Sequence, residues 1–379
     1  TQGYSSAASD VYKRQSKYSL NVGYNDMKGV VRGITDNRLS ARFNLDFKIL
    51  SKLTAGIRIG FSRTNKDLMD QGYEERVNPL YLSLVKSPIL APYVKSDKGV
   101  DGPFFCQPDY DQMSNPLAVC KNVKNEILNT WVLGSVFAQY AFNNSLRTKL
   151  MLSLDRRGLE EDRFTPADGI IPANNDIRFD RTSEEQLVNN QRMIIEHTLT
   201  FEKQLNPDHR LMFFGGYNFE FANYETNYGY TVHSTSDDFQ GLGDGLKIAM
   251  SGVDETYHNV SFFANIDYGF RDKYLLKIGA RMDGSSKFGS DAGGLSFGNV
   301  PFAFLPYVGG TWRIRTEPWM RQATFIDDLN LRASWGMTAN QDIPINARYS
   351  LYEKKFYTFR PGLAPFSVGN PEIKWETTN

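Results

Sequence analysis

Apolar and polar residues alternate without a break from Leu39 to Ile49, and this run is the clearest pattern in the chain. Successive side chains of a β-strand point to opposite faces, so the run predicts a strand with one apolar and one polar face. A second alternating run, from Leu53 to Ser62, begins after only three residues. Two alternating runs joined by a short turn predict a β-hairpin.

The same paired pattern recurs along the chain. The alternating runs that we interpret as strands are 18–24, 39–49, 53–62, 132–140, 146–155, 195–201, 211–221, 260–270, 274–280, 302–313 and 329–336. They predict about eleven or twelve strands of about ten residues, which is the length that a tilted membrane-spanning strand needs.

The connections between these strands alternate between short turns and long loops. The long loops are predicted at Thr64–Leu128, Gly158–Arg192, Ala222–Asn259 and Gly284–Pro301. A transmembrane β-barrel has this arrangement, because its short turns lie on the periplasmic side and its long loops lie outside the cell. The connection Thr316–Asp328 is longer than this rule predicts for its side.

Soluble β-sandwiches and propellers also alternate, so the pattern alone leaves more than one fold class open. Aromatic residues favour a membrane barrel, which collects rings at the ends of its strands. Such residues lie beside the predicted turns, namely Tyr140, Phe142, Phe201, Tyr268, Phe270 and Tyr274. We therefore predict an all-β fold, an antiparallel transmembrane β-barrel.

Composition agrees with this fold and excludes other classes. The chain has 43 Lys and Arg against 43 Asp and Glu, so no net charge favours a nucleic acid as partner. Mean hydropathy is -0.44 although 13% of residues are aromatic, as expected when apolar residues alternate with polar ones. The longest uncharged stretch, Ile127–Leu146, contains too many Asn, Gln, Ser and Thr residues for a membrane helix.

Residues that could carry chemistry are few and scattered. The four His and two Cys residues do not occur at the spacing of a metal site. We predict no catalytic residue, no metal site and no cofactor. Cys106 and Cys120 lie in a proline-rich polar segment, and the sequence leaves open whether they form a disulfide or stay free.

The predicted loop after Phe221 carries Tyr224, Tyr228 and Tyr230 among Asn residues. Aromatic rings with amide neighbours suit stacking on sugars or on a protein partner. An ordinary packed loop has the same composition. These three tyrosines are our candidates for substrate contact.

Three segments in the C-terminal part of the chain carry ordered motifs. The first consists of Tyr274, Leu275, Leu276, Arg281, Asp283, Gly284, Ser285, Ser286, Lys287, Phe288 and Gly289. The second consists of Leu331, Arg332, Ala333, Ser334, Trp335, Gly336, Thr338, Asn340 and Gln341. The third consists of Asn370, Pro371, Glu372, Ile373, Lys374, Trp375, Glu376 and Thr377. Together they resemble motifs of the SusC/RagA family of TonB-linked outer-membrane transporters.

The segments Tyr18–Val31 and Arg38–Asp46 extend the resemblance over nearly the whole chain after Gln15. The second motif departs from the family at Ala339, where glycine is usual, and this affects only the turn at that position. We interpret the motif residues as structural, because Gly and Asp beside a strand usually set its end and its turn.

The resemblance implies a bacterial outer-membrane barrel of roughly 22 strands that is filled by a plug domain. Such a barrel imports glycans or peptides with energy from the TonB complex, and a SusD-like surface lipoprotein closes its outer mouth. The plug, the TonB-contacting segment and the final strands have no counterpart in this chain. We therefore expect residues 16–379 to be an internal portion of the barrel wall.

The first residues give a separate expectation. Residues 1–15 show no alternation, and we interpret them as a non-native segment outside the barrel. An exported protein needs a signal peptide, and none opens this chain, so we expect the native N-terminus to lie upstream.

The sequence thus predicts active import of glycans or other oligomeric nutrients, peptides included, through the outer membrane. Two other functions stay open: a passive porin-like channel, and a soluble β-rich surface module that binds glycans. An upstream plug would favour active import, and fractionation would identify a soluble module.

Overall fold

The structure of the protein is a computed structural model, and it describes residues 5–13, 16–69, 77–106, 113–171, 180–292, 295–297 and 300–378. Its helices are α1 (Pro79–Val85) and α2 (Pro116–Asn122), and two 3-10 turns lie at Ile314–Thr316 and Pro318–Gln322. Its strands are β1 (Ser5–Lys13), β2 (Ser16–Lys28), β3 (Thr35–Leu50), β4 (Leu53–Asp67), β5 (Tyr93–Lys95), β6 (Asp101–Phe105), β7 (Lys124–Ala141), β8 (Leu146–Thr165), β9 (Thr182–Asn206), β10 (His209–Val232), β11 (Leu246–Phe270), β12 (Tyr274–Ser285), β13 (Leu295–Phe297), β14 (Val300–Arg313), β15 (Asn330–Gly336), β16 (Thr338–Asn340), β17 (Leu351–Tyr357), β18 (Arg360–Ser367) and β19 (Glu376–Thr378).

Thirteen of the described strands form one sheet. From β1 to β12 each strand pairs in the antiparallel sense with its neighbour along the chain, except that β5 and β6 stand apart as a small hairpin between β4 and β7. Strand β12 then pairs with β14. Strands β13 and β15 both pair with β14. This up-and-down wall confirms the all-β antiparallel fold that the sequence predicted. Two further pairs, β16 with β19 and β17 with β18, lie outside the large sheet.

One face of the wall is a continuous apolar surface. Residues that are direct cross-strand partners share a face, and Ile57, Val136, Leu152, Ile195 and Phe219 are successive partners from β4 to β10. Val136 and Phe219 are 46% and 37% exposed in this row. A bare apolar row across so many strands is costly in water and is stable in the hydrocarbon of a membrane.

Aromatic rings collect at the end of the wall that carries the short turns. Tyr140 lies 5.0 Å from Phe142, measured between ring centres, and Tyr274 lies 6.3 Å from both Phe270 and Trp312. Rings with a polar edge favour the interface between lipid and water. The clustering that the sequence predicted is therefore present as a girdle on the periplasmic side.

Strands β8 to β11 are 20–25 residues long, about twice the predicted length. The loops predicted at Gly158–Arg192 and Ala222–Asn259 are therefore wrong in extent, because most of both ranges is strand. Alternation ends where the strands leave the membrane, since both faces are then in water. The backbone ladder continues there without an apolar face to mark it.

A small insertion lies between β4 and β7. Both of its helices begin in the same way: Asn78 and Asn115 accept hydrogen bonds from the next backbone N–H groups, and a proline follows each. Leu82 and Val119, one from each helix, are fully buried in its core. No helix among the described residues is long and apolar enough to cross a lipid bilayer.

The two cysteines lie in this insertion, and both are free thiols. Burial raises the pKa of the Cys120 thiol, and the nearby Arg32 lowers it by a smaller amount. The Cys120 thiol is therefore a poor nucleophile at neutral pH.

Strand β1 occupies the segment for which the sequence predicted no strand. Its backbone pairs with β2 from Ser5 opposite Tyr24 to Lys13 opposite Ser16. A sheet edge presents free N–H and C=O groups, and a segment can pair with them without any alternation of its side chains. This explains why β1 is a strand although its sequence predicted none. The interpretation of residues 1–15 as non-native stays a prediction.

The long connection Thr316–Asp328 has a structural explanation. The carboxylate of Glu317 accepts hydrogen bonds from Tyr274 Oη at 2.8 Å and Trp312 Nε1 at 3.1 Å, and it pairs with Lys273 Nζ at 3.2 Å. These donors, Tyr274 first, hold the pKa of Glu317 below its ordinary value. The connection is therefore long enough to fold back and bind the polar edges of the girdle.

Candidate functional site: the inner wall

We define the inner wall as the face of β3 to β12 that lies opposite the apolar row of Ile57, Val136 and Leu152. Its side chains come from the alternate positions of each strand and include most of the charges of the membrane-spanning region. In a transmembrane barrel this face lines the lumen. The inner wall is therefore where a solute would meet the chain.

A ladder of polar contacts crosses five strands of the inner wall. Trp131 Nε1 donates to Asp155 Oδ1 at 2.7 Å, and the Arg192 guanidinium lies 3.5 Å from Asp155 and 3.6 Å from Glu220. Asn259 Nδ2 donates to the other Glu220 oxygen at 3.3 Å. One cation is thus shared by two largely buried carboxylates, which keeps the ladder ordered.

The ladder continues into β12 through the first motif. Arg281 Nε donates to both Asp283 oxygens, at 2.6 and 2.8 Å, and Arg281 Nη2 donates to Ser261 Oγ at 2.9 Å. These three side chains share the face of Asn259, because Ser261 is the direct cross-strand partner of Asp283. Arg281 and Asp283 therefore lie on the inner wall near the outer end of β12, and their proposed structural role stays a prediction.

A second inner-wall cluster lies nearer the short turns. Arg58 Nη2 lies 2.6 Å from Asp46 Oδ1, and its guanidinium carbon lies 5.3 Å from the centre of the Phe137 ring. Lys149 Nζ lies 4.9 Å from the centre of the same ring. Two cations thus flank one ring, which is a cation–π arrangement on a polar wall.

The three candidate tyrosines lie in β10 and not in a loop, so that part of the sequence prediction was wrong. Tyr224, Tyr228 and Tyr230 occupy alternate positions on the inner face, beyond the membrane-spanning part of the strand. Burial, and then a hydrogen bond donated to Glu184, raise the pKa of Tyr228 to about 12. The Tyr228 hydroxyl is thus held neutral, and its role in substrate contact stays a prediction.

The first and third motifs meet at one place, which we call the motif junction: residues 285–291 packed against 370–375. Phe288 is fully buried, and its ring centre lies 4.4 Å from that of Trp375. Gly289 N donates to Ile373 O at 3.1 Å, and Asp291 N donates to Pro371 O at 3.1 Å. A Cβ at Gly289 would lie 1.8 Å from Pro371 O, so only glycine fits there.

The neighbouring motif residues hold the two sides of the junction in place. Ser286 N donates to His258 O, and His258 N donates to Ser286 Oγ, each at 2.9 Å. Ser285 is buried, and Gly284 lies where a Cβ would meet the Phe302 ring at 2.9 Å. These contacts fix the outer end of β12.

The third motif turns and then pairs with the second. Asn370 Oδ1 accepts a hydrogen bond from Glu372 N at 3.0 Å, which closes a tight turn around Pro371. Glu376 is the cross-strand partner of Asn340 in the antiparallel pair of β16 and β19.

Trp335 and Gly336 lie at the outer end of β15. Trp335 is the direct partner of Val308 on the apolar face and is 51% exposed, so it faces lipid. A Cβ at Gly336 would lie 2.9 Å from Tyr307 Cβ. Their proposed structural role stays a prediction, and this geometry is compatible with it.

The described residues contain no group of three or more His, Cys, Asp and Glu side chains that could hold a metal ion. The histidines have other partners: His197 lies 2.7 Å from Thr148 Oγ1, and His233 Nδ1 lies 2.6 Å from Asp180 Oδ1. Asp155, Arg192 and Glu220 were not singled out from the sequence. The alternation places Asp155 and Glu220 on the polar face, whereas Arg192 lies in a predicted loop, and only the register brings the three together.

A wall with a bare apolar outer face, a charged inner face, an aromatic girdle and short turns on one side is the wall of a transmembrane β-barrel. The family described as "TonB dependent receptor-like, beta-barrel" matches residues 122–379, which is more than half of the chain. The chain therefore belongs to this family of outer-membrane β-barrel proteins. The family and the location that the sequence predicted are confirmed.

Individual relatives agree with this assignment. A TonB-dependent receptor of Formosa agariphila is 26% identical over 373 residues, which cover 96% of this chain and 35% of that protein. The TonB-dependent receptor SusC of Bacteroides thetaiotaomicron is 23% identical over 390 residues, covering 95% and 37%. A chain in the structure of the RagAB peptide transporter has a TM-score of 0.75 at 20% identity, covering 98% and 40%. The chain thus spans little more than a third of its curated relatives.

Proposed function

We propose that the protein to which this wall belongs actively imports an oligomeric nutrient, a glycan or a peptide, across the outer membrane. Energy comes from a TonB complex through a plug domain, and a SusD-like surface lipoprotein cooperates at the outer mouth. The observation that carries the proposal is the polar ladder on the inner wall of a chain that belongs to the TonB-dependent receptor family. No residue of this wall is assigned a catalytic role.

The ladder suits transport of a hydrated solute. Its groups are already paired with one another, as Arg192 is with Asp155 and Glu220. A passing solute can therefore exchange hydrogen bonds with these groups without leaving a charge unpaired. The flanked ring of Phe137 adds an apolar contact with cations on both sides. Sugars and peptides both present such mixtures of polar groups and apolar edges.

The first experiment tests active import. The full-length gene is deleted from its native bacterium and restored, and uptake of fluorescent oligosaccharides and peptides is measured with and without a functional TonB gene. We expect one substrate class to enter only when both genes are present. Uptake that persists without TonB would instead support the passive channel, which is the second function left open by the sequence.

A pair of substitutions tests the inner wall itself. Ser153→Trp places a bulky ring on the inner face of β8, and Leu152→Trp places the same ring on the apolar face one residue away. We expect Ser153→Trp to reduce uptake severalfold or more and Leu152→Trp to leave it near wild type. Equal effects of both variants would contradict the assignment of the inner face to the transport path.

A further inference from the structure

The apolar outer face of the wall has a notch near its girdle end, which we call the lipid-face notch. It encloses about 470 Å³, within the range of roughly 300–1,000 Å³ that ligand pockets have. Its floor is formed by Gly310 of β14 and by Ala333 of β15, which are direct cross-strand partners. The side chains around this floor are those of Tyr268, Tyr274, Leu276, Trp312 and Leu331.

The register places the notch on the face that lies against lipid. Gly310 is two residues from Val308, the direct partner of the lipid-facing Trp335, so Gly310 and Ala333 share that face. Leu276 of β12 is the direct partner of Gly310 and bounds the notch on that side. Two cross-strand pairs of large side chains close its ends: Trp312 with Leu331 towards the periplasm, and Val308 with Trp335 towards the middle of the membrane.

The notch exists because residue 310 has no side chain. A Cβ at Gly310 would have no atom within 4 Å, and the backbone φ there is not positive, so neither packing nor conformation requires glycine. Gly336 is the opposite case, because a Cβ there would meet Tyr307 Cβ at 2.9 Å. Glycine in the interior of a strand weakens that strand. The consequence of Gly310 is therefore the opening itself.

An acyl chain is the occupant that the surroundings of the notch supply. Lipid tails are as apolar as leucine, so filling the notch brings no hydrophobic gain, and binding depends on dispersion contacts. A chain on a flat wall touches protein on one side, whereas a chain in the notch also touches its walls. The Tyr274 and Trp312 rings are stacked, with centres 6.3 Å apart and planes 18° apart, and they form a rigid wall.

Charged groups lie just beyond the girdle, at the depth of lipid headgroups. The guanidinium carbon of Arg271 lies 5.1 Å from the centre of the Phe270 ring, and Arg271 Nε lies 3.2 Å from Asp208. Lys273 Nζ lies 3.2 Å from Glu317. Cations and carboxylates thus alternate here, and this mixture matches a headgroup that carries both a phosphate and an ammonium group.

We propose that the lipid-face notch binds one acyl chain of a zwitterionic glycerophospholipid from the periplasmic leaflet of the outer membrane, with its headgroup beside Arg271 and Lys273. The leaflet follows from the girdle and the short turns, which lie on the periplasmic side. The occupant follows from the continuity of the notch with the surface that faces lipid. A plug would lie on the opposite face of the wall and would not cover the notch.

The test uses the full-length protein in detergent micelles, where only retained lipid stays beside the wall. The probe is phosphatidylethanolamine with a photoactivatable diazirine in its acyl chain, and mass spectrometry maps the labelled peptides. We expect the label to concentrate on β12, β14 and β15. Gly310→Leu places a side chain in the notch and should lower this labelling about tenfold.

Gly134→Leu is the matched control. Gly134 also lies on the lipid-facing side, and a Cβ there has no atom within 4 Å. Its direct partners are Ile59 and Leu154, so the gap at Gly134 is only one residue wide. This variant should keep the labelling of β12, β14 and β15 within about twofold of wild type.

Ala333→Leu fills the same floor from the neighbouring strand and should act like Gly310→Leu. The two variants test the notch independently, and heat-modifiable migration confirms that each barrel has folded. Label spread evenly over the apolar face would overturn the proposal, as would unchanged labelling in both variants. It would also be overturned if lipopolysaccharide displaced the probe, or if native mass spectrometry showed a dimer that Gly310→Leu separates, because the occupant would then be a second copy.

Discussion

Substitution of Gly289 by Ala gives the sharpest test of the motif junction. The added Cβ would lie 1.8 Å from Pro371 O and 2.3 Å from Pro371 C, both of which are backbone atoms that cannot rotate away. The two segments must therefore separate by more than about 1 Å to restore ordinary contact distances. That shift breaks the hydrogen bond from Gly289 N to Ile373 O and weakens that from Asp291 N to Pro371 O.

The size of the effect follows from what the junction holds. Two backbone hydrogen bonds contribute about 1 kcal/mol each, and burial of the Phe288 side chain contributes about 2 kcal/mol. Loss of most of this stabilisation would lower the free energy of local opening by about 3 kcal/mol. That corresponds to a factor of roughly 100 in the rate of amide hydrogen exchange. The strands themselves keep their pairing, so the barrel should still form.

Hydrogen exchange of the Asp291 amide in the full-length protein measures this opening. We expect about 100-fold faster exchange in Gly289→Ala than in wild type. Gly243→Ala is the matched control, because no atom lies within 4 Å of the added Cβ and the backbone φ of Gly243 is not positive. Exchange within about threefold of wild type in Gly289→Ala would refute the argument that close backbone approach holds the junction together.

Three further predictions concern titration and the ladder. The pKa of Glu317 is lowered, so the carboxylate stabilises the fold fully above the ordinary glutamate pKa, and this stabilisation is lost as the pH falls below that pKa. Trp312 fluorescence should follow the loss. Glu317→Gln should abolish the fluorescence transition. The raised pKa of Tyr228 means that the protein loses stability as the pH rises from 10 towards about 12. Tyr228→Phe should remove from the absorbance titration one tyrosine that ionises above the ordinary tyrosine pKa. Arg192→Met should lower barrel stability in heat-modifiability assays by about 1 kcal/mol. Arg157→Met should lower it less, because Arg157 lies 3.4 Å from Asp155 and so pairs with one carboxylate of the ladder rather than two.

Each of these predictions has a clear contrary result. An unchanged fluorescence titration in Glu317→Gln would mean that the carboxylate does not control the girdle. Loss of a group that titrates near the ordinary tyrosine value in Tyr228→Phe would mean that burial and Glu184 do not act on that hydroxyl. Equal destabilisation by the two arginine variants would mean that sharing one cation between Asp155 and Glu220 adds nothing.

The sequence predicted the membrane-spanning part of the wall well, because lipid imposes an apolar residue at every second position there. In β9 the run Ile195–Phe201 was found, whereas Thr182–Arg192 was assigned to a loop. That outer half carries Glu184, Gln186, Asn189 and Asn190 on both faces and has no alternation to detect. Only cross-strand pairing with β8 and β10 makes it a strand.

The contacts of the inner wall could be predicted only in part. Alternation places Asp155 and Glu220 on the polar face, but it does not say which residue opposes which. That depends on register, and a slip by one residue would turn every charge towards lipid. The hairpin β17–β18 was missed for a different reason: it contains Pro361 and Pro365, which normally argue against a strand, and both occupy a free edge where no ladder hydrogen bond is needed.

The first motif combines a buried ring with charges, and its position explains this mixture without a substrate. Phe288 packs into the junction with Trp375, while Lys287 Nζ next to it lies 4.5 Å from the centre of the Tyr257 ring on the inner wall. Arg281 and Asp283 continue the ladder one strand further. The motif therefore joins the outer connection to the inner wall by one apolar and one charged contact. A disturbance of either contact should reach the β17–β18 hairpin through the same few residues.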